Sequence, residues 1–98
     1  MRQKEKTHDT VIRQDKREAD GYRYGYELIM RVSESLVSMR IPLYSIKATL
    51  IDPYGKETCA EIKDAFADAG RAILFYERVV RNLATPIDLS YIHEDEIC

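Results

Sequence analysis

Apolar residues recur at alternating spacings of three and four in two long segments, and this repeat constrains the fold more than any other feature. The longer run comprises Cys59, Ile62, Phe66, Ala69, Ile73, Tyr76, Val80, Leu83 and Ile87. Thr58 and Glu61, three residues apart, have the spacing of a helical capping box and come at the start of this run. Because Pro86 cannot continue a helix, the repeat predicts a helix over 59–84.

The first segment carries the same repeat, in Tyr22, Gly25, Ile29, Val32, Leu36, Met39 and Leu43. Pro42 disfavours helical geometry at the residue before it, so we predict a helix over about 10–40. Residues 43–52 fit either a half-buried strand or a short helix, and we favour a short helix or an irregular packing segment because one strand cannot form a sheet alone. The DPYG sequence at 52–55 predicts a turn. The predicted fold is all-α, with two long antiparallel helices in a helical hairpin.

Length and composition predict a single folded domain, since the chain has 98 residues, of which 45% are hydrophobic and 33% charged. We expect a flexible arm over 1–9 and an acidic tail over 86–98. The net charge of −2 argues against tracking of a phosphate backbone, which needs a concentrated basic surface. No apolar run is long enough to span a bilayer, so the sequence favours a cytoplasmic protein.

Catalytic and metal-binding motifs are not evident in the sequence. Tyr26 with Glu27, and Asp64 with Asp68, could be paired as acid and base, but solvated surface charge is the simpler interpretation. The tail contains donor types that transition metals accept, without two well-spaced pairs on a rigid frame: His93, Glu94, Asp95, Glu96 and Cys98. We therefore expect no enzyme activity, no metal and no cofactor.

The tyrosine-rich sequence GYRYGYE at 21–27 is the candidate binding region. On a helix, Tyr22 and Tyr26 would lie on the apolar seam, whereas Arg23 and Tyr24 would be exposed. The predicted partner-binding residues are Tyr22, Arg23, Tyr24 and Tyr26, with Tyr91, His93, Glu94 and Asp95 of the tail. Seven tyrosines with little net charge favour a protein partner or self-association. The alternative is a single-stranded nucleic-acid-binding protein that uses tyrosine and arginine stacking.

The chain has a short charged head, a tyrosine-rich first segment, an alanine-rich second segment and a terminal HEDEIC. In these features it resembles small early proteins of temperate phages. In size and type it is similar to the phage anti-RecBCD proteins. That resemblance implies an inhibitor or modulator that binds a subunit of the host RecBCD nuclease in the host cytoplasm, without catalysis of its own. An anti-CRISPR-type inhibitor would have the same character.

Overall fold

The computed structural model describes residues 7–33 and 42–89, which form an antiparallel sheet with a helix packed on one face. The four strands lie side by side in the order in which they occur along the chain. The elements are β1 Thr7–Ala19, β2 Tyr22–Ser33, β3 Leu43–Ile51, β4 Glu57–Phe66 and the helix α1 Ala69–Arg81. The predictions of an all-α fold and of a helical hairpin are therefore wrong.

The first predicted helix, 10–40, is the β1–β2 hairpin over its described part. Its turn is Asp20 and Gly21, whose φ angles of 54° and 83° match the two-residue turns that join antiparallel strands. The segment also has a period of two, because every even-numbered residue from 22 to 32 is apolar or aromatic. This second period, and not the spacing of three and four, is the one that the chain follows.

The second predicted helix, 59–84, is helical only from Ala69 onward. Thr58 and Glu61 lie in β4, so they do not cap a helix; Asp68 does, by accepting a hydrogen bond from the backbone N–H of Arg71 at 2.8 Å. The predicted turn at 52–55 is confirmed by a 2.9 Å hydrogen bond from Gly55 N to Asp52 O. That turn joins β3 to β4, and the segment at 43–51 is a strand, so the prediction of a short helix or an irregular packing segment is wrong.

The core lies between α1 and one face of the sheet, which we call the core face. α1 contributes Phe75, Tyr76 and Val79, all at most 3% exposed. The sheet contributes Tyr26, Leu28, Ile46, Ala48 and Ile62, and the segment after the helix adds Ala84 and Leu89. Burial of these side chains supplies the main stabilisation of a domain of this size.

The opposite face, which we call the open face, carries the odd-numbered residues of β2. Within the described residues, α1 and the segment that follows it pack on the core face and not on the open face, where Ser45 is nevertheless buried and accepts a hydrogen bond from Asp64 N. No helix in the described part of the chain is long and apolar enough to cross a membrane. Residues 1–6 of the predicted arm and 90–98 of the predicted tail lie outside the described residues, whereas residues 7–9 belong to β1.

Candidate functional site

A groove of about 520 Å³ lies on the open face, across the halves of β1, β2 and β3 that are nearest the turn at Asp20 and Gly21. The strand register arranges its side chains in three rows. The central row is Lys16, Gly25 and Thr49; the flanking rows are Gln14, Glu27 and Lys47 on one side and Glu18, Arg23 and Ile51 on the other. A concavity of this size is in the range that holds a small ligand or an inserted side chain.

The floor of the groove is the backbone of Gly25. Its φ lies outside the left-handed region that requires glycine, and a Cβ built there would meet the Cβ of Thr49 at 3.8 Å, an ordinary contact. Neither the backbone nor the neighbours therefore demands a glycine at this position. Glycine inside a strand lowers stability by about 0.5–1 kcal/mol relative to alanine, and often marks a place where another group approaches the backbone closely.

Charged side chains of both signs surround this floor. Arg17 and Asp15, two of the lining residues, pair with each other at 3.7 Å. The other lining cations are Lys16, Arg23 and Lys47, and the other lining anions are Glu18 and Glu27. None of these five forms an ion pair with another described residue. The one hydrogen bond that the structure gives among the groove side chains is from Gln14 Nε2 to Glu27 Oε2, at 3.4 Å. The groove thus presents charges that are available to a binding partner.

β1 is held in place at the groove by contacts with the helix. The hydroxyl of Tyr76 lies 2.8 Å from Asp15 Oδ2 and 3.2 Å from the carbonyl oxygen of Tyr26, so it can donate to either. Burial, and then the hydrogen bond with Asp15, raise the pKa of Tyr76, so the hydroxyl stays protonated. Arg13 adds an ion pair with Glu77 at 3.3 Å. These contacts fix the strand from which Lys16 projects.

A second charged cluster lies on the open face beyond the groove, centred on Arg31. Its guanidinium contacts Asp9 at 2.9 Å, Asp64 at 3.7 Å and Glu61 at 4.0 Å, which ties β2 to β1 and β4. The hydrogen bond from Arg31 lowers the pKa of Asp9 and raises that of Arg31. Because these charges are already paired, the cluster has a structural role in the sheet.

The structure separates the four predicted binding residues of β2. Arg23 is exposed on the open face, whereas the three tyrosines project to the core face. Tyr26 is 1% exposed, Tyr24 is half-buried with its ring stacked 6.5 Å from that of Tyr26, and Tyr22 is 38% exposed. Tyr26 donates a 2.8 Å hydrogen bond to Ala84 O, and burial raises its pKa to about 12. The remaining predicted residues, Tyr91, His93, Glu94 and Asp95, lie outside the described residues.

Sequence reasoning missed most of the groove, namely Lys16, Gly25, Glu27, Lys47 and Thr49. The signal that could have found them is the strict period of two in 22–32. It places Arg23, Gly25 and Glu27 together on the face opposite the tyrosines. A glycine between two charged residues on that face then indicates a gap in the side-chain layer.

Searches against protein-family models, curated proteins and solved structures find no match for this chain.

Proposed function

We propose that this chain is a non-catalytic protein-binding module of the cytoplasm, and that the groove on the open face is its contact surface. The observation that carries the proposal is the groove itself, which has a bare glycine backbone as its floor and five charged side chains without ion pairs around it. Charged groups arranged in this way select a partner of complementary charge and set its register.

The charge pattern favours a protein over a nucleic acid. Glu18 and Glu27 lie among the three cations, so a phosphate backbone crossing the groove would meet like charge. Base stacking needs exposed aromatic rings, but the tyrosines of β2 project to the core face, where Tyr26 is buried, Tyr24 is half-buried and only Tyr22 is exposed. A polypeptide segment that carries both acidic and basic side chains can pair with cations and anions alike.

The test is capture of a partner from bacterial lysate by the immobilised parent and by two glycine variants. Gly25→Val fills the floor of the groove, whereas Gly70→Ala, in α1 on the other side of the sheet, leaves it unchanged. We expect a partner retained by the parent and by Gly70→Ala to be lost from Gly25→Val. Equal retention by all three proteins would show that binding does not use the groove.

Purified RecBCD is the first individual candidate, because the resemblance described above implies it. The affinity of any partner for Arg23→Ala should fall by about 1–3 kcal/mol, as expected for an interface arginine, while the melting temperature stays unchanged. Binding of single-stranded oligonucleotides at micromolar or tighter affinity in physiological salt would instead favour the nucleic-acid alternative.

The rate of alkylation of Cys59 can show whether a partner covers the open face. Cys59 is exposed, its thiol is free, and it lies opposite Thr49 in the register of β3 and β4. In a Cys98→Ser background, a bound partner should slow alkylation of Cys59. Unchanged alkylation in the saturated complex would locate the partner elsewhere on the molecule.

A further inference from the structure

We infer that the groove receives an aromatic side chain of the partner, laid over the exposed backbone of Gly25. This inference rests on the proposed function and gives the chemistry of the group that the partner must present. The partner segment would carry a tryptophan or tyrosine as its central residue.

The uncovered glycine is the first reason. In sheets, an aromatic side chain on the neighbouring strand often covers the backbone that a glycine exposes. The neighbours of Gly25 on the open face are Lys16 and Thr49, and no groove residue that projects from this face is aromatic. Within the described chain, therefore, no ring covers this glycine on the open face, and a partner can supply one.

The cations around the floor are the second reason. Lys16, Arg23 and Lys47 form no ion pair with described residues, and a cation gains energy over the electron-rich face of an aromatic ring. The same chain uses this contact elsewhere, since the guanidinium of Arg13 lies 5.3 Å from the ring centre of Tyr76. A ring over Gly25 would be within reach of cations from all three strands.

The remaining side chains of the groove can contact the apolar edge and the polar N–H or O–H group of such an aromatic side chain. Thr49 and Ile51 are half-buried and offer methyl groups to the edge of a ring. Glu18 and Glu27 offer carboxylate oxygens that can accept a hydrogen bond from an indole N–H or a phenol O–H. These carboxylates also repel the phosphate of a nucleotide, although the base of a nucleotide could otherwise lie over the backbone of Gly25.

Small aromatic probes test this inference without the partner. The full-length protein, labelled with ¹⁵N, is titrated with N-acetyltryptophanamide, and with N-acetylleucinamide and uridine 5′-monophosphate as controls. We expect the tryptophan probe to shift the amide resonances of Lys16, Gly25 and Thr49 with a dissociation constant on the order of 1 mM. The leucine probe should bind roughly tenfold more weakly, because it lacks the ring that attracts cations. The protein contains no tryptophan, so the fluorescence of the probe gives a second readout.

Gly25→Val should abolish the shifts at positions 16 and 49, and Gly70→Ala should retain them. Equal binding of the leucine probe, tighter binding of the nucleotide, or unchanged groove resonances with all probes would each overturn the inference. These results are separable from the proposed function. A partner that requires Gly25 in the capture assay, combined with no response to the tryptophan probe, would reject the aromatic group while leaving the groove as the contact surface.

Discussion

Replacement of Gly25 by valine should make the folded protein more stable while it removes binding. Glycine in a strand interior lacks a side chain to pack and loses more backbone entropy on folding than any other residue. Valine at position 25 would restore a β-branched side chain between Lys16 and Thr49. The backbone already has a conformation that valine accepts, and the added Cβ would lie 3.8 Å from the Cβ of Thr49, without overlap.

The expected size follows from these contacts. Glycine to alanine in a strand gains about 0.5–1 kcal/mol, and the β-branched side chain adds a few tenths more on scales that span about 1 kcal/mol. A net gain of about 1 kcal/mol raises the melting temperature of a domain of this size by roughly 4–8 °C. Differential scanning calorimetry and urea denaturation measure this change directly.

Gly55→Val is the matched control, since it makes the same chemical change where the structure predicts the opposite result. A Cβ at Gly55 would meet nothing within 4 Å, but the φ of 92° is one that L-residues rarely adopt. This variant should lose about 1–2 kcal/mol through backbone strain alone. A lower melting temperature for Gly25→Val than for the parent would refute the conclusion that the glycine leaves a fillable gap on an uncovered face.

Three further predictions concern the contacts that hold the sheet to the helix and the strands to one another. Tyr26→Phe should lower the free energy of unfolding in urea by about 1–3 kcal/mol, because it leaves the buried carbonyl of Ala84 without its donor. Because the pKa of Tyr26 is raised, the contribution of this residue to stability is complete below pH 10 and is lost as the pH rises from 10 to about 12. In a pH titration, the absorbance of the Tyr26 tyrosinate should therefore appear together with unfolding. A tyrosinate signal that appears at a different pH from unfolding would contradict this prediction. Arg31→Met should raise the pKa of Asp9 toward 3.8, because the hydrogen bond from Arg31 is the largest cause of the lowered pKa in the parent. In the parent, the stabilisation from Asp9 is present above pH 3.8 and is lost as the pH falls through the lowered pKa. An NMR titration in which Arg31→Met leaves the pKa of Asp9 unchanged would exclude this hydrogen bond as the cause.

Only a small part of the core was readable from the sequence, and the type of secondary structure was not. Ile62, Tyr76 and Val80 belong to the predicted apolar seam and are buried, whereas Cys59 and Ile87 of the same seam are exposed. The spacing of three and four does not by itself indicate a helix in 22–32, because every even-numbered residue there is apolar or aromatic and the segment therefore also fits a strand. Gly25 does not decide between the two, because glycine weakens a helix and a strand alike; the unbroken period of two is the evidence for a strand. The second strand that a sheet requires was not evident in the sequence, because ten of the 13 residues of β1 are polar or charged and neither of its faces has an apolar run.

The groove could not be predicted because it depends on register between strands that are distant in sequence. Lys16 and Thr49 are separated by more than thirty residues, yet both lie opposite Gly25. No pattern within one segment of the sequence indicates that these two residues are neighbours of Gly25. This proximity requires the turn at Asp20 and Gly21 to set the β1–β2 pairing, and the pairing of β2 with β3 to bring Lys47 and its strand alongside.

The distribution of ion pairs separates the part of the sheet that supports the fold from the part available for binding. Arg13 and Arg31 pair with acids on neighbouring elements, at 3.3 Å from Glu77 and 2.9 Å from Asp9. Both arginines lie beyond the same end of the groove, past the row of Gln14, Glu27 and Lys47, whereas Lys16, Arg23 and Lys47 have no such partner among the described residues. Exposed pairs contribute little to stability, so completing them in the groove would gain the free protein almost nothing. A partner that excludes water from the groove would strengthen each new contact there, because charges interact more strongly at low dielectric. In the proposed complex, the groove charges would therefore select the partner and set its register, while they add little to the stability of the free protein.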